Sequence, residues 1–447
     1  MKITILLLYG LILLIIGIIS ALKIKSPSDY FIAGKRNGVF QISGSLLASI
    51  LGGSAILGSV NLAIHQSWAA AWYLLAASAG LWLLYPLVGK VSQFGKYTLT
   101  DMIGRFYGQT ARKSASVIIP MAWTGIVAAQ IIAAAKILFS LFGLPYPDGV
   151  IISSAVFIVY TLIGGQISIL KTDFIQAIII LVGVTCSAIF LTLTHDTHTS
   201  SIGDSFPFNA HFALTDLLIL FLTFSSTFVV GPDIYSRVFC ARDERTARRS
   251  IALVASVLIP FAFLMTYLGV FAVENLSSEQ LTHSVVLIDL IAQFLPEWVL
   301  GLMAAALLSA VLSSADTTLL TASMMVTEFF NEDIDNKRSL NSTRISILII
   351  GTTSMLIALQ ITSIIGTLLM ALAFYSGAFI VPVIAALANM KVNKSLSIVA
   401  MLTGGLVALG GKIIVSVYEL GWGNWMIIGA FLINFLILKI PESRKQI

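Results

Sequence analysis

The sequence predicts an all-α, polytopic membrane protein with thirteen transmembrane helices. Three observations predict it: the composition, the spacing of the apolar runs, and the placement of Lys and Arg. Of the 447 residues, 58% are hydrophobic and only 11% are charged, and the mean hydropathy is +0.97. Soluble proteins carry roughly a quarter charged residues. Nearly every element here must therefore face lipid or another lipid-embedded helix. A net charge of +5 does not imply nucleic acid, because the basic residues are spread along the chain and form no single patch. Cys186 falls in an apolar run and Cys240 in a basic segment read as a cytoplasmic loop, so no disulfide is expected.

A membrane-spanning helix needs about 20 mostly apolar residues. Such runs lie at 3–22, 39–63, 67–89, 116–142, 148–165, 172–195, 211–235, 249–273, 298–327, 342–361, 363–389, 395–417 and 423–440. The first lacks a small-residue cleavage site and is read as a retained helix. The apolar stretch 285–295 is short and ends at Pro296, so it is read as a re-entrant or interfacial helix.

Basic residues mark the cytoplasmic side of a membrane protein. With the first loop inside, the inner segments hold Lys23, Lys25, Lys35, Arg36, Lys90, Lys96, Arg105, Arg112, Lys113 and Lys171. They also hold Arg237, Arg242, Arg245, Arg248, Arg249, Lys337, Arg338, Arg344, Lys391, Lys394, Lys439, Arg444 and Lys445. That is 23 of the 26 Lys and Arg; Lys2 alone lies outside, and Lys136 and Lys412 fall within spans near their outer ends. The N-terminus is expected outside and the C-terminus inside, in a cell membrane of the bacterial inner-membrane kind. No GxxxxGK[ST] loop is present to bind ATP, and no HExxH or CxxC cluster suggests a metalloenzyme. A channel or a secondary transporter remains, with no enzyme activity and no obligatory protein partner expected.

Transporters free backbone groups for their ligands by interrupting helices at matched positions in two repeats. The second span contains Ala48-Ser49-Ile50-Leu51-Gly52-Gly53-Ser54, and the seventh contains Ser225-Ser226-Thr227 followed by Gly231-Pro232-Asp233. These two breaks lie five spans apart. Five is odd, so the second five-helix unit runs inverted relative to the first. The expected division is 1–38, 39–195, 196–389 and 390–447, the two middle segments being the repeats. The ninth span carries Ala310-Val311-Leu312-Ser313-Ser314-Ala315-Asp316-Thr317-Thr318. Its polar residues should face the bundle interior. At 1.5 Å per residue, residues 310–314 lie roughly 18–24 Å from one face and Ala48 and Leu51 roughly 14–18 Å from the other, so the two segments can meet. On periodicity alone, hydroxyls bonding their own helix carbonyls are the favoured reading of this stripe.

At these residues the chain resembles the sodium:solute symporter family. The resemblance is carried by Asp29-Tyr30-Phe31-Ile32-Ala33-Gly34-Lys35-Arg36, Thr98-Leu99-Thr100-Asp101-Met102-Ile103-Gly104-Arg105-Phe106-Tyr107-Gly108, and Gly164-Gly165-Gln166 leading to Thr172-Asp173-Phe174-Ile175-Gln176. It continues through Gly231-Pro232-Asp233-Ile234-Tyr235-Ser236-Arg237 to the Ser-rich ninth span. It implies thirteen spans, an inverted five-helix repeat of the leucine-transporter type, and Na⁺ as coupling ion. Its principal Na⁺ site maps onto Ala48, Leu51, Ala310, Ser313 and Ser314. A second cation set found in some members maps onto Asp173, Ser313, Asp316 and Thr317, with Asp316 standing where those members have Ser. The alternative for Asp173 is a carboxylate capping a helix N-terminus.

The pocket implied by the same fold draws on Gly52, Ser54, Ala55, Trp68, Trp72, Gln130, Phe224, Ser225, Ser226, Thr227, Tyr375 and Ser376. Ala55 stands where sugar transporters of the family place a polar residue, which disfavours a sugar. No Arg falls inside a predicted span. The expected activity is a secondary-active symporter that couples inward Na⁺ movement to uptake of a small organic solute by alternating access. The alternatives are a proton-coupled symporter using Asp173 and Asp316, and a membrane-embedded solute sensor.

Overall fold

The apolar runs fold as helices in the computed structural model, which describes residues 2–195, 202–282, 285–331 and 336–441. The first elements are α1 (Lys2–Ala21), α2 (Val39–Ile50), α3 (Gly53–Gln66), α4 (Trp72–Leu84), α5 (Leu99–Tyr107), α6 (Gln109–Phe142) and α7 (Tyr146–Thr194). Next come α8 (Leu214–Leu220), α9 (Ser226–Val230), α10 (Pro232–Cys240), α11 (Glu244–Asn275) and α12 (Val286–Phe294). The chain finishes with α13 (Glu297–Phe330), α14 (Lys337–Gln360), α15 (Ile364–Leu387), α16 (Ser397–Tyr418) and α17 (Met426–Lys439). Ten helices among the described residues are long and apolar enough to cross a membrane. The basic residues Arg444 and Lys445 lie outside the described residues.

Helix α7 is 49 residues long. At 1.5 Å per residue it measures ~74 Å, more than twice the ~30 Å hydrocarbon core. It is divided by a kink at Gly165, where φ is 53° and ψ is −170°. The sequence led us to expect a connection at 166–171; the helix instead resumes directly after the kink. Glycine is required there twice over. Its φ lies in the left-handed region that disfavours side chains, and a Cβ would sit 2.5 Å from the Tyr30 ring. Asp173 is thus eight residues past the kink and buried, so it caps no helix N-terminus.

Helix α13 is the axis of the bundle, with 78% of its central window buried. It packs on α6, α7, α1 and α2. Small residues set these spacings, as membrane helix packing requires: Gly183 of α7 faces Ala306 and the Leu302 carbonyl, and Gly149 faces Ala135. Lipid-facing positions carry large apolar side chains, including Leu11, Leu14 and Ile18 of α1 and Leu348 and Ile349 of α14. The stretch at 285–295 is the nine-residue helix α12, at ~14 Å too short to span.

One end of the bundle is closed by α5, an amphipathic helix started by Thr98, whose side chain accepts from the Asp101 N–H. The buried Glu328 carboxylate near the end of α13 accepts from Thr98 Oγ1 at 2.6 Å and from Thr100 Oγ1. Arg112 reaches Asp101 at 2.8 Å and Glu328 at 3.6 Å. Two carboxylates, one guanidinium and two hydroxyls thereby fasten α5 to α13 and α6.

Candidate functional site

The second span is broken where its glycines stand. The last turn of α2 closes with the Leu51 N–H bonded to the Leu47 carbonyl, and the next bonds begin at Gly52, whose carbonyl accepts from Ala55 and Ile56. The carbonyls of residues 48–51 are left outside both ladders. Leu51 (φ −81°, ψ 44°) and Gly52 (φ −65°, ψ 175°) make the break. The Gly53 N–H is caught by Gln130 Oε1 at 3.1 Å, and Gln130 Nε2 donates to Ser54 Oγ at 3.3 Å. Neither glycine tolerates a side chain: a Cβ on Gly52 would lie 2.3 Å from Ser314 Oγ, and one on Gly53 would lie 2.2 Å from Val311 Cγ1.

That closeness brings the broken helix against α13. Ser314 Oγ donates to the Ser49 carbonyl at 2.7 Å, and Ser313 Oγ donates to Asp173 Oδ1 at 2.6 Å. Ser314 thus donates into the break and Ser313 donates behind it to Asp173, and each hydroxyl oxygen keeps lone pairs for a cation. Ala48, Leu51, Ala310 and Ser313 are fully buried. Freed carbonyls beside neutral hydroxyls make a hard-oxygen environment suited to a monovalent cation.

Behind this junction lies a buried ionic cluster. Arg237 is fully inaccessible, and its Nη2 meets Asp173 Oδ2 at 3.1 Å. Nη2 also donates to Thr317 Oγ1 and, at 3.4 Å, to Ser49 Oγ; Nε donates to Ser45 Oγ at 3.0 Å, and Nη1 to Ser236 Oγ at 2.9 Å. Ser45 Oγ in turn donates to Asp173 Oδ2 at 2.5 Å. Two expectations are corrected here. Arg237 was assigned to a cytoplasmic loop, and no Arg was expected among the spans; α10 instead continues the seventh span past the break and packs Arg237, fully buried, against α2, α7 and α13. Cys240, at the end of the same helix, is likewise buried and not in a loop. Asp173 and Thr317, two members of the second cation set, are therefore held by a protein cation. Asp316 is buried too, and accepts from Thr161 Oγ1 at 3.3 Å.

The seventh span is interrupted twice. Phe221–Ser225 forms a π-turn between α8 and α9, and Gly231 (φ −66°, ψ 125°) separates α9 from α10. Between the two broken spans lies a partly open cavity. Gly52, Ser54, Ala55, Gln130, Phe224 and Thr227, all expected on its wall, line it; so do Ser49, Tyr73, Trp123, Phe228, Asp233, Ser314 and Thr318.

The other expected residues do not line it. Trp72 stacks on Phe206 at 5.5 Å and donates Nε1–H to the Pro207 carbonyl at 3.0 Å, and Tyr73 takes its place on the wall. The reason is the 3₁₀ turn at Ser67–Ala71, whose period of three residues shifts the helix face. Trp68 is buried against Ala63, Ala70 and Val270. Ser226 and Ser376 bond carbonyls of their own helices, at Leu222 and Leu372. Ser225 is buried, with its carbonyl where a Cβ on Gly80 would meet it at 2.2 Å. Tyr375 lies one layer behind the cavity, its hydroxyl donating to the Val230 carbonyl at 2.5 Å and its ring against Trp123 at 4.6 Å. It steadies the second break.

A family model described as "Sodium:solute symporter family" matches residues 30–404. The chain belongs to the sodium:solute symporter family. Among its relatives, the sodium/proline symporter of Escherichia coli is 23% identical over 98% of this chain and 93% of its own length. The sodium/pantothenate symporter of the same organism is 24% identical over 85% of this chain and 83% of its own. A Na⁺-coupled sialic acid symporter, solved substrate-bound and outward-open, superimposes with a TM-score of 0.84 at 16% identity, over 98% of this chain and 96% of that one. A nucleobase-cation-symport-1 family transporter superimposes with a TM-score of 0.59 at 13% identity, over 92% and 93% of the two chains. The fold is that of inverted-repeat transporters of the leucine-transporter type. This family member is a secondary-active, Na⁺-coupled symporter that carries a small organic solute across the bilayer by alternating access; it is not an enzyme.

Proposed function

We propose that one Na⁺ binds at the break in the second span, held by the carbonyls of Ala48, Leu51 and Ala310 and the hydroxyls of Ser313 and Ser314. The observation that carries this reading is the Ser314–Ser49 contact at 2.7 Å, which joins α13 to the freed carbonyls. Na⁺ there ties the broken span to α13 and completes the wall of the adjoining cavity, because Ser314 belongs to both. Solute in that cavity then finds its partners already arranged. Coupling of this kind amounts to about 1–3 kcal/mol between the two ligands.

In this reading α7 counts as two spans, the total is thirteen, and 39–195 and 196–389 are the inverted repeats flanked by 1–38 and 390–447. The Lys and Arg distribution supports an external N-terminus and a cytoplasmic C-terminus in a bacterial inner membrane. The solute occupies the cavity between the two broken spans. Purified protein tests the reading: Na⁺, but not K⁺, should raise its thermal stability, and Ser313→Ala/Ser314→Ala should abolish that response. Equal stabilisation by both ions would overturn it.

One observation favours a second reading. Among the described residues, no basic side chain lies in ion-pair reach of Asp316. A carboxyl group so placed can carry a proton, and Asp173 is already matched by Arg237. Proton influx coupled to uptake without Na⁺, and lost in Asp316→Asn, would establish this reading over the first.

A further inference from the structure

The solute cavity has one charged group on its wall, and it is acidic. Asp233 stands in the first turn of α10, directly after the break at Gly231 and Pro232. Among the described residues no basic side chain lies within ion-pair distance of it. Arg237, one turn further along the same helix, is committed to Asp173. No Lys, Arg or His lines the cavity.

The rest of the wall suits a cation as well. Tyr73 and Phe224 stack with ring centroids 4.5 Å apart, and Phe228 meets Phe224 edge-on at 5.1 Å. Trp123 contributes a fourth ring. Aromatic faces attract ammonium groups, most strongly where water is excluded. An anionic carboxylate solute would meet the opposite: like charge, and no guanidinium or ammonium to receive it.

We propose that Asp233 and these rings select solutes bearing an ammonium group, so that the transported compound is an amine, either cationic or zwitterionic. The proposal rests on the cavity being the solute site of a Na⁺ symporter. It makes Asp233 a specificity-determining residue that touches the solute, not the Na⁺.

The test uses the purified full-length protein with matched probe pairs that differ in the charged nitrogen: L-proline against cyclopentanecarboxylate, L-alanine against propionate, and choline against 3,3-dimethylbutan-1-ol. Binding is read by quenching of Trp fluorescence, with and without Na⁺. In at least one pair the ammonium-bearing probe should bind in a Na⁺-dependent manner, about 30-fold tighter than its partner. Asp233→Asn should bring the two within about threefold, and Asp233→Glu should restore the preference. Stabilisation by Na⁺ alone should be unchanged in both variants.

Preference for the nitrogen-free partners, no Na⁺-dependent response to any ammonium probe, or discrimination that survives Asp233→Asn would each overturn the proposal. A variant that loses the response to Na⁺ alone would also overturn it, by making Asp233 a cation ligand. Failure of the wild-type protein to respond to Na⁺ would instead overturn the underlying symporter site.

Discussion

Arg237 Nη2 lies 3.1 Å from Asp173 Oδ2, and both side chains are sealed from solvent at 0% and 1% exposure. The pair links α10, which follows the second helix break, to the second half of α7. Ser45 and Ser49 from α2, Thr317 from α13 and Ser236 from α10 complete the hydrogen-bond set, so both helices that meet at the cation junction contribute to it.

Removing one partner of such a pair leaves the other charge buried and unmatched, at a cost of about 3–5 kcal/mol. Arg237→Met and Asp173→Asn should each lower thermal stability in detergent by that order. The double variant should recover part of the loss, since it removes both charges. A double variant as unstable as the sum of the two single variants would show that the pair is not coupled.

The glycine break makes a steric prediction. Gly52→Ala and Gly53→Ala should cut Na⁺-driven uptake by at least about tenfold, because overpacking of this kind costs typically 1–3 kcal/mol or more. Backbone preference is not the cause, as Gly52 has an ordinary φ of −65°. Gly429→Ala provides the control, since a Cβ there meets nothing within 4 Å. Uptake by that variant should match the wild type.

The break itself was legible in the sequence from its glycine pair together with the matching Gly231-Pro232 five spans on; a glycine pair alone does not break a helix, as Gly404-Gly405 within α16 shows. So was the meeting of the second and ninth spans, which follows from counting residues inward from opposite faces. Arg237 was not. An arginine followed within a dozen residues by four others reads as part of a cytoplasmic loop, and hydropathy does not show which of them is buried. One signal was present: Asp173 sits in a long apolar run, and a buried carboxylate calls for a counter-ion. The wall of the cavity was half legible. The resemblance placed Trp72 and Tyr375 on the wall by position, whereas past the 3₁₀ turn at Ser67–Ala71 it is Tyr73 that lines the cavity, and the Tyr375 hydroxyl serves the second break.

The closure by α5 yields a third prediction. Glu328→Gln should keep contacts to Thr98 and Thr100 while weakening the attraction to Arg112; Glu328→Ala removes all of them. Because Arg112 keeps its partner Asp101, the alanine variant should lose about 1–3 kcal/mol, the cost of unpartnered hydroxyls, and the glutamine variant clearly less. Thermal unfolding of the two variants side by side checks this; equal losses would mean that charge, not hydrogen bonding, fastens α5.

Saturable binding of radioactive sodium to the purified protein tests the central claim most directly. Wild-type protein should bind Na⁺ in a manner that excess K⁺ does not displace. Ser313→Ala/Ser314→Ala should weaken that binding by at least about tenfold, equivalent to about 1.4 kcal/mol, while Gly429→Ala leaves it intact. Undiminished Na⁺ binding in a folded double-alanine variant would contradict a cation site at the junction of the broken second span with α13.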